Sequence, residues 1–188
     1  MSNPLEAPDP PLTDGVVRLR EIEPRDWQRF AKAARGTDVQ LLAYRNRYLF
    51  DDAQTRSYID QLRERRAAGS AIGLTVTEAN GDELIAQTLL FNLDWGEGIA
   101  ELGFWAAPWS RGRGVTLRAV VLTSTWAIDG LGFGRVHALT RVDNAGAQAV
   151  LERAGFTREG VLRGIEPSSD GRLDQVSYSR LESDPPLA

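Results

Sequence analysis

One short run of arginine and glycine has the residue types of a phosphate-binding loop: Arg111, Gly112, Arg113, Gly114, Val115 and Thr116. The two glycines allow a tight bend and let a ligand approach the backbone closely, because glycine has no Cβ. If a helix begins here, the amide N–H groups of its first turn have no partner inside the helix. Together with the helix dipole they favour a bound anion. The two arginines add positive charge and paired N–H donors. The run therefore predicts a pyrophosphate-binding loop, with an ordinary turn into a helix as the alternative.

Two common phosphate loops are excluded by their spacing. The chain has no G-x-x-x-x-G-K-[ST] sequence, which excludes a P-loop nucleotide hydrolase. No G-x-G-x-x-G follows the first predicted strand, which argues against a dinucleotide-binding unit. The chain also has no cysteine and a single histidine, His137, which lies in the middle of a predicted strand. We expect His137 to be structural, and we predict no metal site.

The hydrophobic pattern indicates the elements that must position this loop. Apolar alternation and short apolar runs predict strands over 16–22, 72–78, 84–93, 99–106, 135–142, 156–162 and 175–181. Helical spacing predicts one helix from Pro24 to Gly36 and others over 54–68, 114–129 and 145–154. Hairpins come first and strand–helix–strand units later. The order therefore predicts an α/β (α+β) fold in one domain, with a mixed central sheet of about seven strands and helices on both faces.

The composition is that of an ordinary globular domain. The 188 residues are 42% hydrophobic and 26% charged, with a formal net charge of −4. This acidic balance argues against nucleic-acid binding, and no apolar run approaches the roughly 20 residues that cross a bilayer. We expect one domain over residues 13–182, between flexible tails at 1–12 and 183–188. The N-terminus does not have the pattern of a secretory signal, which predicts a cytoplasmic protein that does not associate with membranes.

The loop and its surroundings resemble those of the GNAT acetyltransferases. R-x-x-G-x-T at 111–116 is similar to the [QR]-x-x-G-x-[GA] loop of that family, with Thr116 in place of glycine or alanine. The strand E-L-G-F-W-A-A-P at 101–108 resembles the strand that precedes the family's loop. Asn144, A-G-F at 154–156 and E-G-V-L-R at 159–163 resemble the ending of the ribosomal-protein N-acetyltransferase (RimJ/RimL-like) branch. These motifs match in order and spacing over about residues 15–182.

This resemblance implies an acetyl-CoA-dependent N-acetyltransferase. The loop would hold the pyrophosphate of acetyl-CoA, and the pantetheine arm would lie between two diverging strands. The backbone of Phe104, Trp105 and Ala106 would bond the pantetheine on one side. Asn144, which also has the position of a helix N-cap, would contact it on the other. The acetyl group would move directly to a neutral primary amine while a base or a water chain takes a proton.

The resemblance also implies which residue is the base. In the branch, a glutamate at the place of Glu101 faces the acceptor, so we predict that Glu101 is the general base. A solvated strand carboxylate is the alternative. Asp94 and Glu97 are reserve candidates, although both are better explained as turn residues. The hydroxyl groups that relatives often carry nearby are missing, because Ala147 and Leu151 occupy those places. The general acid therefore stays open.

Two hypotheses about function follow. The first is an N-acetyltransferase acting on a protein N-terminus or a small-molecule amine. The resemblance implies that the segment at 44–50 overhangs the acceptor pocket. It also makes a homodimer possible, because members of the branch often form dimers. Trp95, Trp105 and Trp109 are expected to surround the cleft, either lining it or packing on other aromatic residues. The second hypothesis, favoured by the missing hydroxyl groups, is a non-catalytic acyl-CoA-binding or regulatory domain that keeps the fold.

Overall fold

The predicted strands form one mixed sheet in the computed structural model, which describes residues 5–35, 51–168 and 171–185. In chain order the described strands are β1 (Leu12–Thr13), β2 (Val17–Glu21), β3 (Ala71–Glu78), β4 (Ala86–Asp94), β5 (Ile99–Ala106), β6 (Arg135–Arg141), β7 (Thr157–Ser168) and β8 (Gly171–Leu181). Across the sheet they run β1-β2-β3-β4-β5-β6-β8-β7. The β5–β6 pair is parallel and the others are antiparallel. The predicted α/β fold is confirmed, and the short strand β1 makes eight strands instead of about seven.

Helices cover both faces of this sheet, as predicted. Those in the described residues are α1 (Trp27–Ala34), α2 (Asp52–Ala67), α3 (Val115–Thr125) and α4 (Ala145–Arg153). One buried cluster packs α3 and α4 on one face, through residues such as Val120 and Leu151. A second cluster packs α1 and α2 on the other face, through residues such as Phe30 and Ile59. We call these the α3–α4 face and the α1–α2 face. The predicted end of the first helix at Gly36 lies outside the described residues.

The helix that follows the loop differs from its prediction at the C-terminal end. The α-helical part ends at Thr125, and Trp126–Gly130 forms a π-helical turn. Gly130 packs against the indole of Trp126, because a Cβ built on Gly130 would lie 2.7 Å from the Trp126 Cδ1 atom. The wider turn therefore depends on a residue without a side chain.

The N-terminal segment is not the tail that the sequence predicts over residues 1–12. The Leu5 side chain is 2% exposed and belongs to the core cluster on the α3–α4 face. Its carbonyl oxygen accepts a hydrogen bond from Arg66 Nη1 at 3.1 Å. Leu12 pairs with Leu19 of β2. The prediction is wrong for residues 5–12, because Leu5 and Leu12 contribute apolar surface and strand pairing that the surrounding prolines obscure.

Candidate active site

The sheet opens between β5 and β6. These strands pair only at Ile99 with Arg135, Ala100 with Val136 and Glu101 with His137. Beyond that rung β5 stays paired with β4 and β6 with β8, and the described residues show no further β5–β6 pairs. We call the gap between 102–106 of β5 and 138–141 of β6 the V opening. Its inner edges can take an extended ligand as an added strand, because strand edges present N–H and C=O groups.

The predicted contact residues of β5 lie along one edge of the V opening. Phe104 packs against the core of the α3–α4 face, and Ala106 is buried. On the other face, the Trp105 indole donates to Gln87 Oε1 at 2.8 Å and packs edge-on against Phe30 with ring centroids 4.9 Å apart. Because these side chains are held in the protein, their backbone is the part that a ligand in the opening would meet.

The arginine–glycine run forms the predicted turn into a helix. It follows β5 through a 3-10 turn at Pro108–Ser110, and Val115 begins α3. Gly112 and Gly114 have φ values of +72° and +74°, in the left-handed region that favours glycine. Gly114 is the N-cap residue and provides no side-chain cap for the helix. The start of α3 therefore presents backbone N–H groups in the geometry of an anion site.

The loop's two arginines are both exposed. Arg113 Nη2 lies 2.7 Å from Glu78 Oε1, in a surface ion pair. The backbone before the loop is anchored by Ser110, whose hydroxyl donates to the Ile85 carbonyl oxygen at 2.6 Å. The backbone before the loop is therefore held in place, and the exposed side of the loop carries the two arginines. Thr116 lies in the first turn of α3.

Asn144 lies on the opposite side of the V opening, just after β6. It is the N-cap of α4, and its Oδ1 accepts a hydrogen bond from the Ala147 N–H at 3.1 Å. The predicted N-cap is therefore confirmed. Leu151, at one of the two positions where the resemblance led us to look for a hydroxyl group, is fully buried in the core cluster, so this position supplies packing.

Glu101 lies at the apex of the V opening. It pairs with Phe91 on one side and with His137, in the last β5–β6 rung, on the other. The residue is only 7% exposed. Its Oε2 accepts a hydrogen bond from Asn92 Nδ2 at 2.6 Å. A buried carboxylate is thus held where the two strands separate, directly opposite the single histidine.

The reserve carboxylates lie in the next turn. Asp94 Oδ1 accepts the backbone N–H groups of Gly96 and Glu97 at 3.0 and 2.9 Å. The Asp94 side chain therefore stabilises the turn, and Glu97 is exposed there. Asn92 is the contact residue that the sequence interpretation missed. An asparagine within the apolar run of β4 was the available signal, since asparagine tolerates left-handed backbone at a bulge.

The three tryptophans expected near the cleft have different surroundings. Trp95 donates to the Gly69 carbonyl oxygen at 2.8 Å and packs against Phe133, with ring centroids 4.7 Å apart and the ring planes tilted by 38°. Trp109 is 36% exposed, and its ring lies 5.5 Å from the Arg29 guanidinium and 5.2 Å from the Lys32 ammonium. The segment 44–50, expected over the acceptor pocket, lies outside the described residues.

The glutamate of the E-G-V-L-R motif joins three strands. Glu159 accepts two hydrogen bonds from Arg135, at 2.8 and 2.7 Å, and one each from Ser177 and Ser179 at 2.9 Å. The bidentate hydrogen bond from Arg135 lowers the pKa of Glu159 from 4.5 to about 2, with the serine hydroxyls acting in the same direction and against the effect of burial. This conformation fixes β7 and β8 beside β6.

Glu159→Gln is expected to reduce the free energy of unfolding at pH 7 by about 1 kcal/mol, a modest value because the pair is about one-third exposed and screened by solvent. The pKa of Glu159 is depressed in the folded state, so its stabilising contribution is complete above about pH 4.5 and is lost as the pH falls towards 2. Urea unfolding at several pH values should show that the difference in unfolding free energy between wild type and variant disappears in that pH window. Glu97→Gln, in an exposed turn, should show no such difference, and a pH-independent difference for Glu159→Gln would contradict the assignment.

Neither a cluster of metal ligands nor a membrane-spanning helix is found in the part of the chain that the structure describes. No three histidine, cysteine, aspartate or glutamate side chains there are grouped as a metal site would need. No helix there combines the length and hydrophobicity of a membrane-spanning segment.

Comparison with known proteins defines the class of this fold and site. A family model described as "Acetyltransferase (GNAT) domain" matches residues 17–157. The putative ribosomal N-acetyltransferase YdaF of Bacillus subtilis (strain 168) is 30% identical, over 88% of this chain and 91% of its own length. The chain therefore belongs to the GNAT acetyltransferase family and is an acyltransferase of the N-acetyltransferase class.

Solved structures show the same fold. An acetyltransferase (GNAT family) from Bacillus anthracis superposes with a TM-score of 0.81 at 19% identity, covering 92% of this chain and 99% of that one. Mycobacterium smegmatis RimJ, in complex with CoA-disulfide, superposes with a TM-score of 0.78 at 21% identity, covering 96% of this chain and 86% of that one. The branch assignment rests on the named ribosomal N-acetyltransferase, whose 30% identity over most of both chains supports the RimJ/RimL-like branch.

Proposed function

We propose that this protein transfers the acetyl group of acetyl-CoA directly to a primary amine, either the N-terminus of a protein or the amine of a small molecule. The observation that carries the proposal is the continuity of three features. The V opening has a buried carboxylate at its apex, and β5 leads from it into a glycine loop that presents the N-terminus of α3. The complex of the RimJ relative with CoA-disulfide supports the identity of the donor. We also propose that the protein is cytoplasmic, and a homodimer is the predicted assembly.

The donor would be held mainly by backbone groups. The loop at 111–116 would bind the pyrophosphate, because N–H groups at a helix N-terminus favour anions. The pantetheine arm would bond the backbone of Phe104, Trp105 and Ala106 as an added strand. Holding thioester and amine together in this way can contribute about 7–11 kcal/mol to lowering the barrier.

The chemical step needs only a proton acceptor close to the amine. The nitrogen of a neutral amine attacks the thioester carbonyl carbon, the C–S bond then breaks, and CoA leaves as a thiolate. Glu101 takes the proton that the amine loses, directly or through a water molecule. The departing thiolate takes a proton from water or from another group of the protein, since the positions of Ala147 and Leu151 have no hydroxyl group. No covalent intermediate with the protein is formed.

The test combines binding and turnover in the intact protein. Acetyl-CoA at one hundred times its Kd should stabilise the fold by about 2.7 kcal/mol, measured by thermal or denaturant unfolding. Thiol release from acetyl-CoA should then depend on an added amine, scored against N-terminal peptides and small amines. Absence of stabilisation would contradict acetyl-CoA as the donor. Stabilisation without turnover on any amine would support the non-catalytic alternative.

Asn144 allows a separate test of the pantetheine contact. Asn144→Asp keeps the oxygen that caps α4 and removes the amide donor. It should weaken acetyl-CoA binding about fivefold, the loss of one hydrogen bond of about 1 kcal/mol, with little change in unfolding free energy. Asn144→Ala should also lose the cap, about 1 kcal/mol of stability. Isothermal titration and thermal unfolding measure the two effects, and unchanged affinity in both variants would remove Asn144 from the donor site.

A further inference from the structure

A bulge in β4 lies directly beside Glu101. Phe91 pairs with Glu101 and Asp94 pairs with Ile99, so two residues of β4, Asn92 and Leu93, lie opposite one residue of β5. Asn92 has a φ of +50° and is the one residue other than glycine with a positive φ among the described residues. A left-handed residue at a two-against-one bulge redirects the side chains that follow it. The bulge therefore changes the direction in which the Asn92 side chain points.

As a result, the side chains of two consecutive residues of β4, Phe91 and Asn92, both lie on the face of the sheet that carries Glu101. Phe91 lies on the α1–α2 face, because its Cε1 atom would be 3.3 Å from a Cβ built on Gly103, which shares a face with Glu101. In a regular strand the next side chain would point to the opposite face. Instead the Asn92 amide meets Glu101 and donates to Oε2 at 2.6 Å.

We propose that Asn92 is a positioning residue that orients the Glu101 carboxylate for proton transfer from the acceptor amine. This inference rests on the proposed function, in which Glu101 is the base. A hydrogen bond to Oε2 restricts rotation of the carboxylate, and a catalytic group must be held close to its productive geometry by neighbours of this kind. Because Asn92 itself is exposed while Glu101 is buried, the pair joins the site apex to the protein surface.

Two substitutions separate this role from a purely structural one at the bulge. Asn92→Gly keeps the left-handed backbone at no steric cost and removes the amide. It should lower kcat about tenfold, as expected for losing a hydrogen bond to a charged group, with the KM for acetyl-CoA changed less than about twofold. Asn92→Asp keeps the size and the tolerance of left-handed backbone but places a second carboxylate beside the first. It should cause a larger loss and move the acidic limb of the rate–pH profile to higher pH.

A double-mutant cycle with Glu101→Gln completes the test. If Asn92 acts through Glu101, Asn92→Gly should change kcat less than about twofold in the Glu101→Gln background. The inference would be overturned if Asn92→Gly lowered kcat by the same factor with and without Glu101→Gln. It would also be overturned if both Asn92 variants had wild-type turnover and pH profiles. If Glu101→Gln lowered kcat as expected while both Asn92 variants kept wild-type kcat, this inference alone would be overturned. A silent Glu101→Gln would instead contradict the base assignment in the proposed function, and the positioning role with it. Circular dichroism and thermal unfolding confirm that each variant is folded.

Discussion

Glu101→Gln is expected to lower kcat for acetyl transfer by about 100-fold or more at neutral pH, the range for loss of a general base. Glutamine keeps the size of the side chain and still offers an oxygen to Asn92, but it does not accept a proton. The glutamate is 7% exposed at the apex of the V opening. Few water molecules can therefore replace it as the proton acceptor. Affinity for acetyl-CoA should change less than about twofold, because the loop and the β5 backbone are untouched.

The neighbouring carboxylate Asp94 provides the matched control. Asp94→Asn removes a negative charge from the same hairpin, yet the Asp94 oxygen only accepts backbone N–H groups of the turn. It should leave kcat nearly unchanged. Thiol-release assays at saturating acetyl-CoA, with titration of the donor, separate turnover from binding. If Glu101→Gln kept full turnover, Glu101 would not be the base. An equal loss in Asp94→Asn would point to a general effect of charge on the hairpin.

The features that could be predicted from the sequence are those with a local cause. The pattern of β5 predicted its bounds, and two closely spaced glycines predicted a turn before α3, which the φ values at Gly112 and Gly114 bear out. Asn144 was predicted as an N-cap because the capping interaction reaches only to Ala147. In each case the residues that determine the geometry lie within a few positions of one another.

The features that were missed depend on pairing between distant segments. The bulge at Asn92 is a property of the register between β4 and β5, and nothing in either strand alone fixes that register. The β7–β8 hairpin is longer than predicted because Gln175 and Glu166 bond across it, with Gln175 Nε2 donating to Glu166 Oε2 at 2.9 Å. Gly164 and Pro167 break the apolar alternation there, and the predicted strands therefore stopped at 162 and began again at 175.

Replacing both Gly112 and Gly114 by alanine is expected to weaken acetyl-CoA binding about 30- to 1,000-fold. A Cβ at either position would meet nothing within 4 Å, so the substitutions cause no clash within the protein. Their cost lies in the backbone, since the left-handed region costs alanine about 1–2 kcal/mol per residue. A loop that relaxes to negative φ turns its N–H groups away from the anion, and binding must restore the original conformation. Isothermal titration with acetyl-CoA measures the change.

Gly132 supplies the control, because its φ is +78° and a Cβ there also meets nothing within 4 Å. It follows the π-helical turn, at the other end of the helical segment from the loop. Gly132→Ala should lower the unfolding free energy by about 1–2 kcal/mol and leave the Kd unchanged. Asparagine at Gly112 and Gly114 tests the cause, since asparagine tolerates left-handed backbone. Affinity recovered in the asparagine pair would locate recognition in the backbone N–H groups at the start of α3. Equal losses with alanine and asparagine would locate the effect in side-chain bulk, and unchanged affinity in the alanine pair would remove this loop from the donor site.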